Sequence, residues 1–177
     1  MSGGRLARAW ASLLAGLAWA GCAILFAMLL VIVGDVALRN IPVPGLPRGL
    51  AWSNEVSELM LYLLTMCLAP WLLRQGQHIR VDVLLQAIPP RQAWTLEWIG
   101  DAIGLACCLV LTVYGARAAW ASYASGALSI KTLVTPEWWS LAPLPLAFAL
   151  LSVEMLFRMA RLRAGPRAPR HDAVNAG

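Results

Sequence analysis

Charged residues are scarce in this 177-residue chain: 14 Lys and Arg with 9 Asp and Glu make up 13% of it. A soluble domain carries about 25%. With 60% hydrophobic residues and a mean hydropathy of +0.67, the shortage excludes a water-soluble globular enzyme. It equally excludes a disordered chain, which would be poor in apolar residues. The net charge of +5 could suit nucleic acid. In so apolar a chain the basic residues belong instead to loops flanking membrane spans, so the expected partner is the lipid bilayer and not nucleic acid.

Histidine is nearly missing. His78 and His171 lie in polar segments, so no apolar stretch offers axial ligands for a haem. There is no Ser/His/Asp or Cys/His arrangement, no glycine loop built for phosphate and no zinc signature. The four cysteines (Cys22, Cys67, Cys107 and Cys108) lie inside apolar runs without metal-ligand spacing. They are expected to behave as small hydrophobes. The sequence therefore predicts no catalysis, no cofactor and no metal.

What the chain has is long apolar stretches. A helix needs roughly 20 apolar residues to cross the hydrocarbon core, and four segments suffice: about 10–36, 55–73, 97–120 and 136–157. The first contains an uncharged run from Ala9 to Gly34, longer than the core of a cleaved signal peptide, so it is expected to remain as a span. Continuous apolar runs favour helices over the short alternating segments of a membrane barrel. The fold class expected is an all-α integral membrane protein with a four-helix unit over 1–160. The tail 161–177 is basic and expected to be disordered, held if at all by anionic lipid. No internal repeat is visible.

Placing the N-terminus in the cytoplasm puts ten of the fourteen Lys and Arg on the inner side, so both termini are expected there. Eight of nine tryptophans fall near a proposed helix end: Trp10, Trp71, Trp94 and Trp98 on the inner side, Trp52, Trp120, Trp138 and Trp139 on the outer. Indole favours the headgroup level. Trp19 is the exception and is expected in the core. Pro89-Pro90 should open the third helix, and Thr135-Pro136-Glu137 should cap and open the fourth. Between the second and third spans, Val81, Leu84, Leu85 and Ile88 recur at helical spacing in a segment too short to cross. This predicts a short amphipathic helix along the cytoplasmic interface.

Acidic residues within spans are functional candidates by default, but here they sit near helix ends. Asp35 with Arg39, and Glu154 with Arg158, are expected to form (i, i+4) ion pairs. Glu97 and Asp101, like Glu55 and Glu58, are expected in the opening turns of helices, where the dipole favours negative charge. Each is open to a structural role or to contact with another subunit. Small residues recur every four positions as Ser12, Gly16 and Ala20, and as Gly100, Gly104, Cys108, Thr112 and Ala116. Such stripes admit a close neighbour, either within the four-helix unit or in a partner.

The most specific stretch is WSNEVSELMLYLLTMCLAPWLLRQGQHIRVDVLLQAIPP, from Trp52 to Pro90. It resembles the small membrane (Q) subunit of tripartite ATP-independent periplasmic (TRAP) transporters, a DctQ-like family. The residues that carry the resemblance are Trp52, Glu55, Arg74, Gly76, His78, Ile79, Val81, Asp82 and Pro89, with Gly126, Ser129, Leu133, Pro136, Trp138 and Pro145 farther on. It covers about residues 10–160, and the HIRVD run is its most specific part. Leu63 and Leu68 depart from the aromatic and the glycine usual in the second helix of that family, and Pro70 could kink it.

The resemblance implies a small permease subunit that braces a large multi-helix membrane subunit during cation-coupled uptake, commonly with sodium. The substrate would be an organic acid such as a dicarboxylate, delivered by a periplasmic solute-binding protein across a bacterial inner membrane. Trp52, Glu55, Glu58, Arg74, Gly76, His78, Ile79, Arg80 and Asp82 are then the structural or interface candidates, and Gly100, Gly104, Cys108 and Thr112 the helix-packing ones. Asp82 is expected to hold His78 or Arg80. The competing readings are a membrane anchor for a redox or signalling complex, or a small homo-oligomeric exporter.

Overall fold

The computed structural model describes residues 3–41, 48–76 and 89–164. Long apolar runs without an internal break fold as helices because lipid leaves the backbone no other partner than itself. The described elements are α1 (Gly3–Asn40), α2 (Ser53–Arg74), α3 (Pro90–Ser125), β1 (Leu128–Ile130), β2 (Val134–Pro136), α4 (Trp138–Leu141) and α5 (Pro143–Ala164). Four helical stretches are long and apolar enough to cross a membrane: Ala7–Asn40, Ser53–Arg74, Gln92–Ser125 and Trp138–Ala164.

The helices form an open row in the order α1, α2, α5, α3. The two middle helices carry more of the sparse core. Of their membrane-length windows 17% is buried, against 6% for α1 and α3. Among the described residues, Leu14 of α1, Leu64, Pro70 and Leu73 of α2, Ala93 of α3, and Ala147, Leu151 and Leu162 of α5 are buried. Close approach is set by small residues. A Cβ on Gly21 would lie 3.1 Å from Leu68 Cγ on α2, and Gly104 of α3 packs against the Met155 methyl of α5. Much of the remaining apolar surface faces outward, including Phe26 and Leu30 on α1 and Ile103, Val110 and Tyr114 on α3.

Several expectations change. The helices run past the expected spans: α1 has 38 residues and α3 has 36, so Glu97 and Asp101 sit two and three turns into α3 and not at its opening. Pro89-Pro90 does open α3, with Pro90 at its first position. The residues before the fourth helix are not a cap. Val134–Pro136 pairs antiparallel with Leu128–Ile130, Thr135 facing Ser129 in register, and the helix begins at Trp138. Among the described residues the all-α expectation thus gives way to four membrane-length helical stretches plus one small hairpin. Its strands are only three residues long, too short for alternation to be visible in the sequence.

Trp19 is 77% exposed, so it belongs to the outward face of α1 and not to a core. The row has no interior at that position, because α1 stands at its edge and packs mainly on α2. Pro70 is buried inside α2, which continues through it. At the other end, α5 runs through Arg161 and Leu162 to Ala164, so the first residues assigned to the tail are helical. The expected interfacial helix, with Val81, Leu84, Leu85 and Ile88, lies outside the described residues, as does the chain beyond Ala164.

Candidate functional site

The row is fastened at both ends by polar side chains, and these include the sequence candidates. At the end where α1 begins and α5 finishes, Glu154 is fully buried. Its Oε2 accepts a hydrogen bond from Trp10 Nε1 of α1 at 2.7 Å and lies 3.8 Å from Arg74 Nη1 of α2. Its Oε1 accepts from Arg161 Nη2 at 2.6 Å. One carboxylate therefore joins three helices. The expected pairing of Glu154 with Arg158 is not formed. Arg158 Nε lies instead 3.0 Å from Asp101 Oδ1 of α3, both side chains being largely buried. Positions i+4 and i+7 both share the face of Glu154 on a helix, and the acid on α3 captures the nearer arginine. Trp94 Nε1 of α3 donates to the Leu162 carbonyl at 3.3 Å, and the Trp10 and Phe157 rings stand 6.0 Å apart.

Arg74 closes α2 at this end, and the chain turns immediately after it. Gln75 N donates to the Trp71 carbonyl and Gly76 N to that of Leu73. Gly76 has φ of 71°, the left-handed conformation in which a Cβ is disfavoured. Its place in the DctQ-like pattern thus has a backbone reason. His78, Ile79, Arg80 and Asp82, the most specific part of that pattern, lie outside the described residues.

At the opposite end the fastenings are of another kind. Asp35 pairs with Arg39 as expected, Oδ2 to Nε at 2.9 Å, and its Oδ1 also accepts from the Leu50 backbone N at 2.6 Å. That second bond ties the end of α1 to the residues before α2. Glu55 stands in the first turn of α2, as expected for the helix dipole. It does more than meet the dipole, because its two oxygens accept backbone N–H bonds from Thr132 at 2.6 Å and Leu133 at 2.9 Å. These are the turn residues of the β1–β2 hairpin, so one carboxylate clamps the hairpin to α2. Beside it, Lys131 Nζ lies 3.1 Å from Glu58 Oε2, an exposed pair. The base of the hairpin closes through Glu137 N to the Ala127 carbonyl at 3.0 Å, and Ser122 Oγ of α3 donates to Glu137 Oε2 at 3.2 Å.

Between the hairpin, α2 and the α4–α5 junction runs a groove of about 420 Å³. Val56, Leu59, Tyr62, Leu141 and Leu144 supply its apolar wall, and Glu55, Glu58 and Lys131 sit among its polar members. An aromatic chain borders this end. Trp120 and Tyr123 of α3, then Trp138 and Trp139, stand with successive ring centroids 5.7–6.1 Å apart. Trp52 caps α2 on the backbone only and is partly exposed.

The small-residue stripes divide. Ser12, Gly16 and Ala20 are all exposed on the outward face of α1, and a Cβ on Gly16 would meet nothing within 4 Å. Of the α3 set, Gly104 packs on α5, whereas Gly100 faces open space. Cys108 and Thr112 are half-buried, and Thr112 Oγ1 bonds back to the Cys108 carbonyl at 2.8 Å. Sequence reasoning missed the hub position of Glu154 and the clamp made by Glu55. The hydrogen-bonding partners lie 77 and 144 residues away, beyond any local pattern.

The sequence profile of the DctQ component of tripartite ATP-independent periplasmic transporters matches residues 28–165. No curated protein sequence matches the chain significantly. The profile spans most of the row, from the second half of α1 to the end of α5, and so covers the polar fastenings described above except Trp10. That family is a transporter component and not an enzyme family, and the four apolar helices suit a multi-pass membrane protein. The chain belongs to the DctQ component family of the tripartite ATP-independent periplasmic transporters.

Proposed function

We propose that this chain is the stationary brace of its transporter. It widens and steadies a large multi-helix membrane subunit while that subunit moves an organic acid, handed over by a periplasmic solute-binding protein, in exchange for the free energy of a cation gradient, commonly sodium. The observation that carries the reading is the family match over residues 28–165. The architecture supports it. The row is locked at both ends and has broad apolar flanks on α1 and α3, as a rigid element needs in order to be held by lipid on one side and a partner on another. The outward stripe of Ser12, Gly16 and Ala20 permits close backbone approach by a partner helix.

In this reading both termini are cytoplasmic and the hairpin end faces the periplasm of a bacterial inner membrane, as the excess of arginine at the terminal end favours. Arg74, Gly76, His78, Ile79, Arg80 and Asp82 then form the cytoplasmic anchor that follows α2, while Trp52, Glu55 and Glu58 stabilise the periplasmic end. The residues 1–160 act as the four-helix unit, and the basic tail adds attraction to anionic lipid. Family membership disfavours an anchor for a redox or signalling complex and a self-sufficient exporter.

Gentle solubilisation of the tagged chain from its native membrane tests the reading. It should bring down a membrane protein of about a dozen helices in equal amount, and uptake by the reconstituted pair should require both subunits together with the binding protein. Cation-driven accumulation by this chain alone in vesicles would overturn it.

A further inference from the structure

The groove at the hairpin end is not needed by a purely mechanical brace. Its axis follows α2. Val56, Leu59 and Tyr62 are spaced three apart on one face of that helix, and Glu55 and Glu58 stand toward its first turn. From Glu55 to Tyr62 the helix descends about 10 Å at 1.5 Å per residue. On a helix of 22 residues, which matches the hydrocarbon thickness, that path runs from headgroup level into the acyl region. Leu141 and Leu144 complete an apolar wall across from α2, and the charged lining is one cation, Lys131, and two carboxylates, Glu58 and the backbone-bonded Glu55.

The hairpin itself is turned the wrong way for water. Leu128, Ile130 and Val134 are 57%, 81% and 61% exposed on its outer face, while Ser129 and Thr135 are turned to the groove. Apolar outside and polar inside suits an element lying against lipid, and Trp120 and Tyr123 at the end of α3 are likewise exposed.

We propose that the groove holds one acyl chain of a phospholipid whose headgroup carries both a phosphate and a primary amine. The chain lies against Val56, Leu59, Tyr62 and Leu144, the phosphate meets Lys131, and the ammonium meets Glu58. The two protein charges now pair with each other in an exposed position, where an ion pair is weak and opens at little cost. A headgroup carrying both signs replaces it with two charge-assisted contacts. Glu55 keeps its own two backbone partners and holds the hairpin as the wall of the site. The site goes beyond the transport reading and stands independently of it.

Native mass spectrometry of the full chain, released from detergent after titration with phosphatidylethanolamine or phosphatidylglycerol of identical chains, tests this. One phosphatidylethanolamine should be retained in preference to phosphatidylglycerol. Leu59→Trp, which fills the groove, should abolish the retained lipid. Glu58→Gln should remove the preference between headgroups by weakening phosphatidylethanolamine about tenfold. Should Leu59→Trp fail to give a monodisperse protein, Leu144→Phe narrows the same space from the opposite wall and must give the same loss. Equal retention of the two lipids by the unaltered chain, or an undiminished adduct in the folded groove-filling variant, overturns the proposal. So does an unaltered chain that retains neither lipid, the outcome expected if a segment of a partner protein fills the groove.

Discussion

The two ends of the helix row solve one problem by opposite means. Where α1 begins and α5 finishes, side chain meets side chain. Glu154 is fully buried and collects Trp10, Arg74 and Arg161, while Asp101 and Arg158 pair alongside. At the hairpin end the carboxylates of Asp35 and Glu55 reach backbone N–H groups of loop residues, and among the described residues the ion pair joining separate elements there, Glu58 with Lys131, is exposed. The first arrangement joins helix to helix and tolerates little change. The second fastens a loop and a hairpin onto helices, so each piece can loosen without the row separating.

The sharpest way to break the contrast is Glu154→Ala. It leaves Trp10 and Arg74 without their shared acceptor inside the row, and loss of one partner from a buried ionic group costs about 3 kcal/mol or more. A clear drop in the detergent melting temperature is expected, together with weaker assembly with the large subunit. An unchanged melting temperature would show that the hub is not structural. Replacing Asp101 and Arg158 together by Leu and Met should by contrast be close to neutral, because an apolar pair of similar volume carries no desolvation cost. Either single replacement should be the more damaging, and thermal melts of the three variants decide it.

At the other end, Glu55→Gln should leave helix packing intact yet raise hydrogen exchange at the Thr132 and Leu133 amides by about tenfold, measured by exchange mass spectrometry on the assembled protein. Protection that stays put would show the hairpin to be held by other contacts. Gly76→Ala forces a Cβ into the left-handed turn and should cost about 1 kcal/mol, visible as a modest melting shift. Smallest of all, Lys131→Gln at the exposed pair should change stability by less than about 0.5 kcal/mol, and only a shift well beyond that would promote it to a structural contact.

Much of this was legible in the residues because lipid imposes simple rules. Apolar runs of sufficient length had to be helices, and Asp35 could find Arg39 because both lie one turn apart on a single helix. Glu154 misled for the same reason: local spacing offers both Arg158 and Arg161, and only the position of Asp101 on a separate helix decides between them. The hairpin was hidden because strands of three residues carry too little pattern, and Thr135-Pro136 is chemically a sound helix cap that the Ser129 ladder recruits instead. Trp19 was misplaced because a buried interior was assumed for what is an open row. Gly76, chosen on resemblance alone, received its physical reason only from the backbone angle.

The unequal helix lengths have a consequence for the surrounding bilayer. Upright, a helix of 22 residues such as α2 measures about 33 Å, close to the hydrocarbon thickness, whereas the 38 residues of α1 measure about 57 Å. The flanking helices therefore satisfy the membrane only by leaning or by standing clear of it. Since α1 is bonded near its ends to Glu154 of α5 and to Leu50 before α2, and α3 to Arg158 of α5 and to Glu137, neither can lean alone. The charged ends of α1, with Arg5, Arg8, Asp35 and Arg39, can stand in water, but its uncharged run from Ala9 to Gly34 still measures about 39 Å. Lipid at that edge must therefore thicken locally, and a neighbouring subunit there would be favoured simply by relieving that distortion.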